Sequence, residues 1–143
     1  MCTAVYVASD HPLPETAAAG CDGLALGQTS DEMRQLLQHA LPLKHIAYIG
    51  PKESCGCDFE LYREPDPALY EPSDLATQLA MYFDGLARAG PARLLVCWLG
   101  DEARRPEVTV ELGGALLRDR LNDLAERTLV LSDACRAFDA AAV

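Results

Sequence analysis

A continuous apolar run, Leu94 to Leu99, lies in the second half of the chain and ends at Gly100-Asp101-Glu102. Its length suits a β-strand, and polar residues are missing from both of its faces. Strands of this kind are typical of sheet interiors that are covered on both sides. The run therefore predicts a central strand, with neighbouring strands at both edges and packed elements on both faces.

Strand and helix patterns alternate along the rest of the chain. Further strands are predicted at residues 3–9, 24–26, 46–50, 58–62, 108–110 and 128–132, and the strand at 108–110 is expected to return as a hairpin partner of the apolar run. A capping box of Thr29 and Glu32 predicts a helix that continues to about residue 41. A second helix is predicted between Ser73, as N-cap, and Gly90, and leucines at 116, 117, 121 and 124 have helical spacing.

This interleaving favours an α/β fold, with a single mixed β-sheet of about five to six strands and about three helices packed on it. The 143 residues, 50% of them hydrophobic, fit one domain spanning residues 1–143 with its own core. Residues 136–143 are rich in alanine, which predicts a frayed tail.

The chain is acidic, with 12 Lys and Arg residues against 22 Asp and Glu residues. The resulting net charge of −10 repels nucleic-acid phosphates and anionic membranes, so we expect neither as a partner. No stretch reaches the roughly 18 uninterrupted apolar residues of a membrane span. The start of the chain lacks a basic segment and reaches Asp10 before an apolar run can form a signal peptide. We therefore predict a cytoplasmic protein.

The six cysteines are predicted to be mostly reduced thiols, because a cytoplasmic domain with a sufficient core needs no disulfides. Cys97 lies within the apolar run, where a cysteine acts as a small hydrophobic residue. Cys21 and Cys135 have no ligand-type residue nearby in sequence, so we assign them structural or incidental roles.

The Cys55-Gly56-Cys57 step concentrates two thiols in a turn after the strand at 46–50. Residues two apart on a regular strand lie too far apart for a relaxed disulfide, but Gly56 lets the chain turn and bring the sulfurs together. Soft thiolates bind metal ions or exchange electrons with each other. The step therefore predicts a dithiol or a site for zinc or another soft metal ion, which needs one or two further ligands.

The further ligand depends on the direction of the first strand. If this strand runs antiparallel to the strand before the thiols, Cys2 lies beside them and a three-sulfur site results. If the two strands run parallel, Asp10 faces the thiols instead, with Asp101 and Glu102 from another strand end. Otherwise, Asp101 and Glu102 are expected in a solvated turn. The candidate metal ligands are Cys55, Cys57, Cys2 and Asp10.

Two alternatives concern partners and catalysis. In the first, Tyr62, Tyr70 and the proline-rich loop at 65–72 form the surface of a non-catalytic protein-interaction module, and the cysteines are structural. An edge strand such as 107–111 is also able to pair across a two-fold axis, so a homodimer is compatible with the sequence. The sequence does not identify a small-molecule ligand.

In the second alternative, the protein is a small thiol-dependent hydrolase. Removal of the initiator methionine would leave Cys2 with a free α-amine that can act as its own base. This arrangement resembles the N-terminal-nucleophile amidohydrolases, some of which open with Met-Cys. A chain of 143 residues is short for their four-layer fold.

Several segments together resemble a known family. They are residues 1–10, Tyr48-Ile49-Gly50, the segment from Cys55 to Phe59, and the segment from Cys97 to Glu102. These resemble a family of small uncharacterised bacterial proteins with an MCxAxYxAS-like start, a GCGC-like centre and a CWxGDE-like segment. Ser54 stands here in place of the expected glycine, which keeps the cysteine pair but makes the turn less free. The resemblance implies a bacterial, cytoplasmic protein and no particular activity.

Overall fold

A mixed six-stranded sheet forms the centre of the protein in the computed structural model, which describes residues 2–136. The strands are β1 (Thr3–Ser9), β2 (Leu24–Gly27), β3 (His45–Pro51), β4 (Ala92–Trp98), β5 (Val108–Glu111) and β6 (Thr128–Leu131). The helices are α1 (Asp31–Leu37) and α2 (Asp74–Ala89), and residues 134–136 are also helical. The predicted α/β class with one mixed sheet is confirmed.

The strands follow the spatial order β2-β3-β1-β4-β6-β5. β1 lies between β3 and β4 and pairs antiparallel with both, so that Tyr6 is opposite Tyr48 on one side and Leu95 on the other. All seven residues of β1 are buried. The apolar run of β4 is an interior strand, as predicted, and β2 and β5 are the two edge strands.

The sheet carries a hydrophobic core on each face because side chains alternate along its buried strands. Val5 and Leu94 pack on the face covered by α2, where Phe83 is fully buried. Tyr6 and Leu95 pack on the opposite face with Leu37 of α1. Full burial of each large apolar side chain contributes about 1.5–3 kcal/mol, so these two layers supply most of the driving force for folding.

The N-cap of α2 connects this helix to the segment that carries the cysteine pair. The Ser73 hydroxyl accepts a hydrogen bond from the Ala76 N–H at 3.0 Å and donates one to the Phe59 carbonyl oxygen at 2.8 Å. The predicted cap at Ser73 is confirmed. Phe59 is fully buried in the core under α2, so the cap and the packing hold the same segment.

The first helix differs from its prediction at both ends. Ser30, and not Thr29, is the N-cap, because the Ser30 hydroxyl accepts the Met33 N–H at 3.1 Å while Thr29 donates to the Ile46 carbonyl oxygen. The helix ends at Leu37 instead of continuing to about residue 41. The buried positions up to Leu41 are reached by a turn that closes on the Leu37 carbonyl oxygen.

The predicted strand at 58–62 is wrong. Residues Gly56–Phe59 form a 3-10 helix, which ends at Glu60 in the left-handed region with φ 54°. Phe59 and Leu61 are buried as a strand pattern requires, but they pack under α2 without a neighbouring strand. Alternating burial therefore produced a strand pattern in an irregular segment.

Two predictions near the C-terminus are also wrong. β5 does not form a hairpin with β4; it pairs parallel with β6, with Val110 opposite Val130. Instead of one helix, the leucine segment has two 3-10 turns at 117–119 and 121–123, which contain Leu117 and Leu121, while Leu116 and Leu124 flank them in extended conformation. The buried Asp84 carboxylate accepts the Leu117 N–H at 2.8 Å, which fixes the first turn on α2. The predicted frayed tail lies outside the described residues except for Arg136, which is helical.

Among residues 2–136, no helix has the length and apolar character that crossing a membrane requires.

Replacing Ser73 with alanine tests the connection between α2 and the cysteine segment. The variant loses the helix cap and leaves the Phe59 carbonyl oxygen without its donor, so we expect a loss of about 2 kcal/mol in the free energy of unfolding. Ser54→Ala is the control, because Ser54 is exposed, and we expect a change within about 0.5 kcal/mol. Urea denaturation measures both. Equal stability of the two variants would contradict the structural role of Ser73.

A three-cysteine cluster as candidate metal site

The antiparallel pairing of β1 with β3 decides which residues meet the Cys-Gly-Cys turn. Because the start of β1 adjoins the end of β3, Cys2 lies beside Cys55 and Cys57. The three Sγ atoms all lie within 4.8 Å of one another. Of the two arrangements left open by the sequence, the structure has the three-sulfur one.

Asp10 lies at the other end of β1 and does not join the cluster. Its N–H donates to the Pro91 carbonyl oxygen, just before β4 begins. At about 3.3 Å per residue, the seven-residue strand separates Asp10 from Cys2 by more than about 20 Å. The structure therefore brings together three of the four predicted ligands, and the antiparallel strand direction excludes the fourth.

The cluster needs little movement to surround an ion. A tetrahedral zinc ion with Zn–S bonds of about 2.3 Å has sulfur atoms about 3.8 Å apart. The observed separations of up to 4.8 Å close to this value through small side-chain rotations. All three cysteines are exposed, so the core does not oppose such rotations.

Gly56 is required by a backbone contact. A Cβ atom at this position would overlap the carbonyl oxygen of Thr3, the first residue of β1. The sequence predicted a glycine that gives the turn its conformational freedom, whereas its missing side chain is what allows the turn to touch β1. This contact sets the cysteines on either side of Gly56 next to Cys2.

Hydrogen bonds favour a thiolate at Cys57. The Thr3 N–H donates to the Cys57 Sγ at 3.4 Å, and the Cys55 thiol donates to the same sulfur. These bonds lower the pKa of Cys57 below its usual value. A hydrogen bond from the Cys57 N–H favours the thiolate form of Cys55. Donation of the Cys55 proton to Cys57, burial, and repulsion from the neighbouring thiols outweigh that bond, so the pKa of Cys55 is raised. Of the pair, Cys57 is therefore the thiol that ionises more readily.

Tyr48 of β3 is a neighbour of the cluster that the sequence did not indicate as a site residue. Its hydroxyl oxygen accepts the N–H of Gly56, the residue between the two cysteines. Its ring lies over Gly50, where a Cβ atom would be 2.8 Å from the ring, and it packs edge to face with the Tyr6 ring, with the ring centroids 5.7 Å apart. Burial and the negative potential of the thiols raise the pKa of Tyr48. The spacing of Tyr48 and Gly50 on one strand face was the available signal.

Glu102 follows the end of β4, at the same end of the sheet as the cluster, but its carboxylate is held away from the sulfurs. Its carboxylate is buried and accepts the Tyr6 hydroxyl and the Gly100 N–H, each at 2.9 Å. The expectation of a solvated turn is therefore wrong for Glu102. Asp101 is more exposed and pairs with Arg104 and Arg127. Neither carboxylate belongs to the sulfur cluster.

The other three cysteines are buried and take part in packing. Cys21 donates to the Gln78 carbonyl oxygen at 3.4 Å, and Cys135 donates to the Ala92 carbonyl oxygen at 3.2 Å. Burial, Glu102 and Asp101 raise the pKa of Cys97 to about 12, so this thiol stays protonated. All six cysteines lie among the described residues, and none forms a disulfide.

The tyrosines of the predicted interaction surface contact each other edge to face, with ring centroids 5.6 Å apart. Tyr62 is half-exposed, whereas Tyr70 packs partly against the core. The adjacent Arg63 and Glu64 are bonded to the segment at 122–128. Packing within the chain thus uses part of this surface.

Comparison with protein-family models, curated proteins and solved structures found no match to this chain. The resemblance to a bacterial family, stated from the sequence motifs, stays a prediction. The functional argument consequently depends on the geometry and chemistry of the three-cysteine cluster.

Replacing Gly56 with alanine tests the contact with β1. Because the new methyl group overlaps the Thr3 carbonyl oxygen, we expect a loss of about 1–3 kcal/mol in the free energy of unfolding. The matched control is Gly85→Ala in the exposed middle of α2, where a Cβ meets no atom within 4 Å. That control should gain about 0.5–1 kcal/mol from helix propensity. If both variants gained stability, the contact would not be as described.

The pKa shifts predict an order of alkylation. At about pH 8, a lower pKa gives a larger thiolate fraction, so iodoacetamide should modify Cys57 before Cys55. Cys97 should react only after unfolding, because it is buried and protonated. Peptide mapping by mass spectrometry over a time course, on reduced protein treated with a chelator, measures the order. Faster modification of Cys55 would contradict the assignment of the thiolate.

Proposed function

We propose that the protein binds a thiophilic metal ion through Cys2, Cys55 and Cys57. The observation that carries the proposal is the convergence of three exposed thiols, from two distant parts of the sequence, within 4.8 Å. Exposed thiols gain nothing from hydrophobic burial, so packing does not explain why they lie together. Metal coordination does, since thiolates are preferred ligands of zinc and other soft ions.

The surroundings of the sulfurs support metal binding. N–H groups that donate to thiolate sulfur stabilise negative charge on the ligands before an ion arrives, and Thr3 supplies such a bond to Cys57. Gly56 holds the turn against β1, so the ligands are pre-oriented by backbone contacts instead of by long flexible side chains. A reducing cytoplasm, the location predicted from the sequence, would keep these thiols available.

Metal coordination is favoured over a simple dithiol because the Cys2 sulfur lies within 4.8 Å of both sulfurs of the pair. A redox pair needs two sulfurs, and a third provides a competing partner for either one. The ligand-type group that includes Cys2 contains two more thiols and neither histidine nor carboxylate, which favours coordination over hydrolysis. The interaction module stays an alternative that the tyrosine pair alone supports.

Metal binding by purified protein tests this function. Reduced, chelator-treated protein titrated with Zn²⁺ or Cd²⁺ should bind one ion, with sulfur-to-metal absorption for Cd²⁺ and a raised melting temperature, because the ion binds the folded state. A Cys55→Ser, Cys57→Ser double variant should lose both effects. Cd²⁺ titration followed by ultraviolet absorption and thermal denaturation provides the two readouts.

The matched control is Cys21→Ser, in which a hydroxyl replaces a buried thiol that donates to the Gln78 carbonyl oxygen. This variant should bind Cd²⁺ like the unmodified chain. Absence of binding by the unmodified protein, or equal binding by the double variant, would refute the proposal.

A further inference from the structure

We infer that the cluster selects a centre whose coordination is complete with three sulfur atoms. Trivalent arsenic, which reaches the site as arsenous acid, is such a centre. The inference rests on the proposed function and specifies the chemistry of the same site. It is carried by the number of ligands, by the charge around them and by their exposure at the surface.

The first step concerns the number of ligands. Among residues 2–136, the group of His, Cys, Asp and Glu ligand atoms at this site consists of Cys2, Cys55 and Cys57. Zinc in a structural site takes four protein ligands, and with three it must bind a solvent molecule or an external ligand. Trivalent arsenic forms three bonds and keeps a lone pair on its fourth side. Three sulfurs therefore satisfy it completely.

The second step concerns charge. Three thiolates around a divalent ion leave a net charge of −1, in a chain whose own net charge is −10. The residues next to the cysteines do not compensate, because Lys52 is outnumbered by Glu53, Asp58 and Glu60 in the same segment. An arsenic atom bonded to three sulfurs is neutral. It therefore adds no charge where negative charge already accumulates.

The third step is the balance of the reaction. Arsenous acid has three As–OH groups, and each As–O bond is replaced by an As–S bond. Each departing hydroxyl takes the proton of the attacking thiol and leaves as water, so three thiols and one arsenous acid give one adduct and three waters. Arsenic stays trivalent and the sulfurs are not oxidised, so no other reactant is needed.

The pair in the turn suits this sequence of steps. The Cys57 sulfur accepts the Thr3 N–H at 3.4 Å, which stabilises negative charge on this sulfur as it attacks arsenic, and the proton of each thiol leaves with a departing hydroxyl as water. Cys2 then closes the third bond from the start of β1. Because all three cysteines are exposed, arsenous acid reaches them without opening of the fold, and the lone pair of the bound atom faces away from the sulfurs.

The test compares arsenite, phenylarsine oxide and Cd²⁺ on reduced, chelator-treated protein. Intact-mass spectrometry should show one arsenic atom in place of three protons, and the number of alkylatable thiols should fall by three. Cys2→Ser keeps the pair in the turn but removes the third sulfur. Arsenite affinity should then fall about 100-fold or more, because the last intramolecular bond is lost. Phenylarsine oxide, which bonds to only two thiols, should retain its affinity.

The outcomes separate this inference from the proposed function. Cys21→Ser should bind arsenite like the unmodified chain. If Cd²⁺ binds and arsenite does not, the arsenic inference fails while metal binding stands. Equal arsenite affinity in Cys2→Ser would show capture by two thiols and would also overturn it. If neither reagent binds, both proposals fail.

Discussion

The contact between the Gly56 turn and the first residue of β1 is the constraint on which the site depends. Gly56 lies against the Thr3 carbonyl oxygen, and the Thr3 N–H reaches the Cys57 sulfur on the same side. One peptide segment of β1 thus fixes both the backbone and a sulfur of the turn. This arrangement is possible because β1 and β3 are antiparallel, so that the start of one strand adjoins the end of the other.

The structure divides the six cysteines into two chemical classes by position alone. Cys21, Cys97 and Cys135 lie in the interior, and burial raises the pKa of the Cys21 and Cys97 thiols. The other three lie together at the surface, where the Thr3 N–H donates to the Cys57 sulfur and helps to lower the pKa of Cys57. The six cysteines of the sequence are therefore three packing residues and one cluster of three exposed thiols.

The sequence predicted the features that depend on local pattern. The strand at 3–9, the interior apolar strand and the Ser73 cap follow from burial and from short-range hydrogen bonding, and the structure confirms them. The pattern at 58–62 misled because Phe59 and Leu61 are buried against a helix and have no strand partner. Periodicity reports which residues are buried, and it does not report what covers them.

The sequence predicted the cysteine pair of the site, but it did not decide which residues lie beside the pair. Cys55 and Cys57 stood out because only Gly56 separates them in sequence, but the choice between Cys2 and Asp10 required the strand direction, which is a property of the whole sheet. Tyr48 was missed because its role depends on a ring lying over Gly50 and on a hydrogen bond from Gly56. The spacing of Tyr48 and Gly50 on one strand face was a local signal, whereas the contact of Tyr48 with Gly56 leaves none in the sequence.

The location of all three cysteines within the first 57 residues has a consequence for the order of synthesis. β1, β3 and the turn are synthesised before β4 and β6. One edge of β1 therefore has no partner strand until β4 has been made and pairs with it. An ion bound at the cluster would join the start of β1 to the end of β3 during that interval, and would hold the register of the nascent sheet before its second half exists.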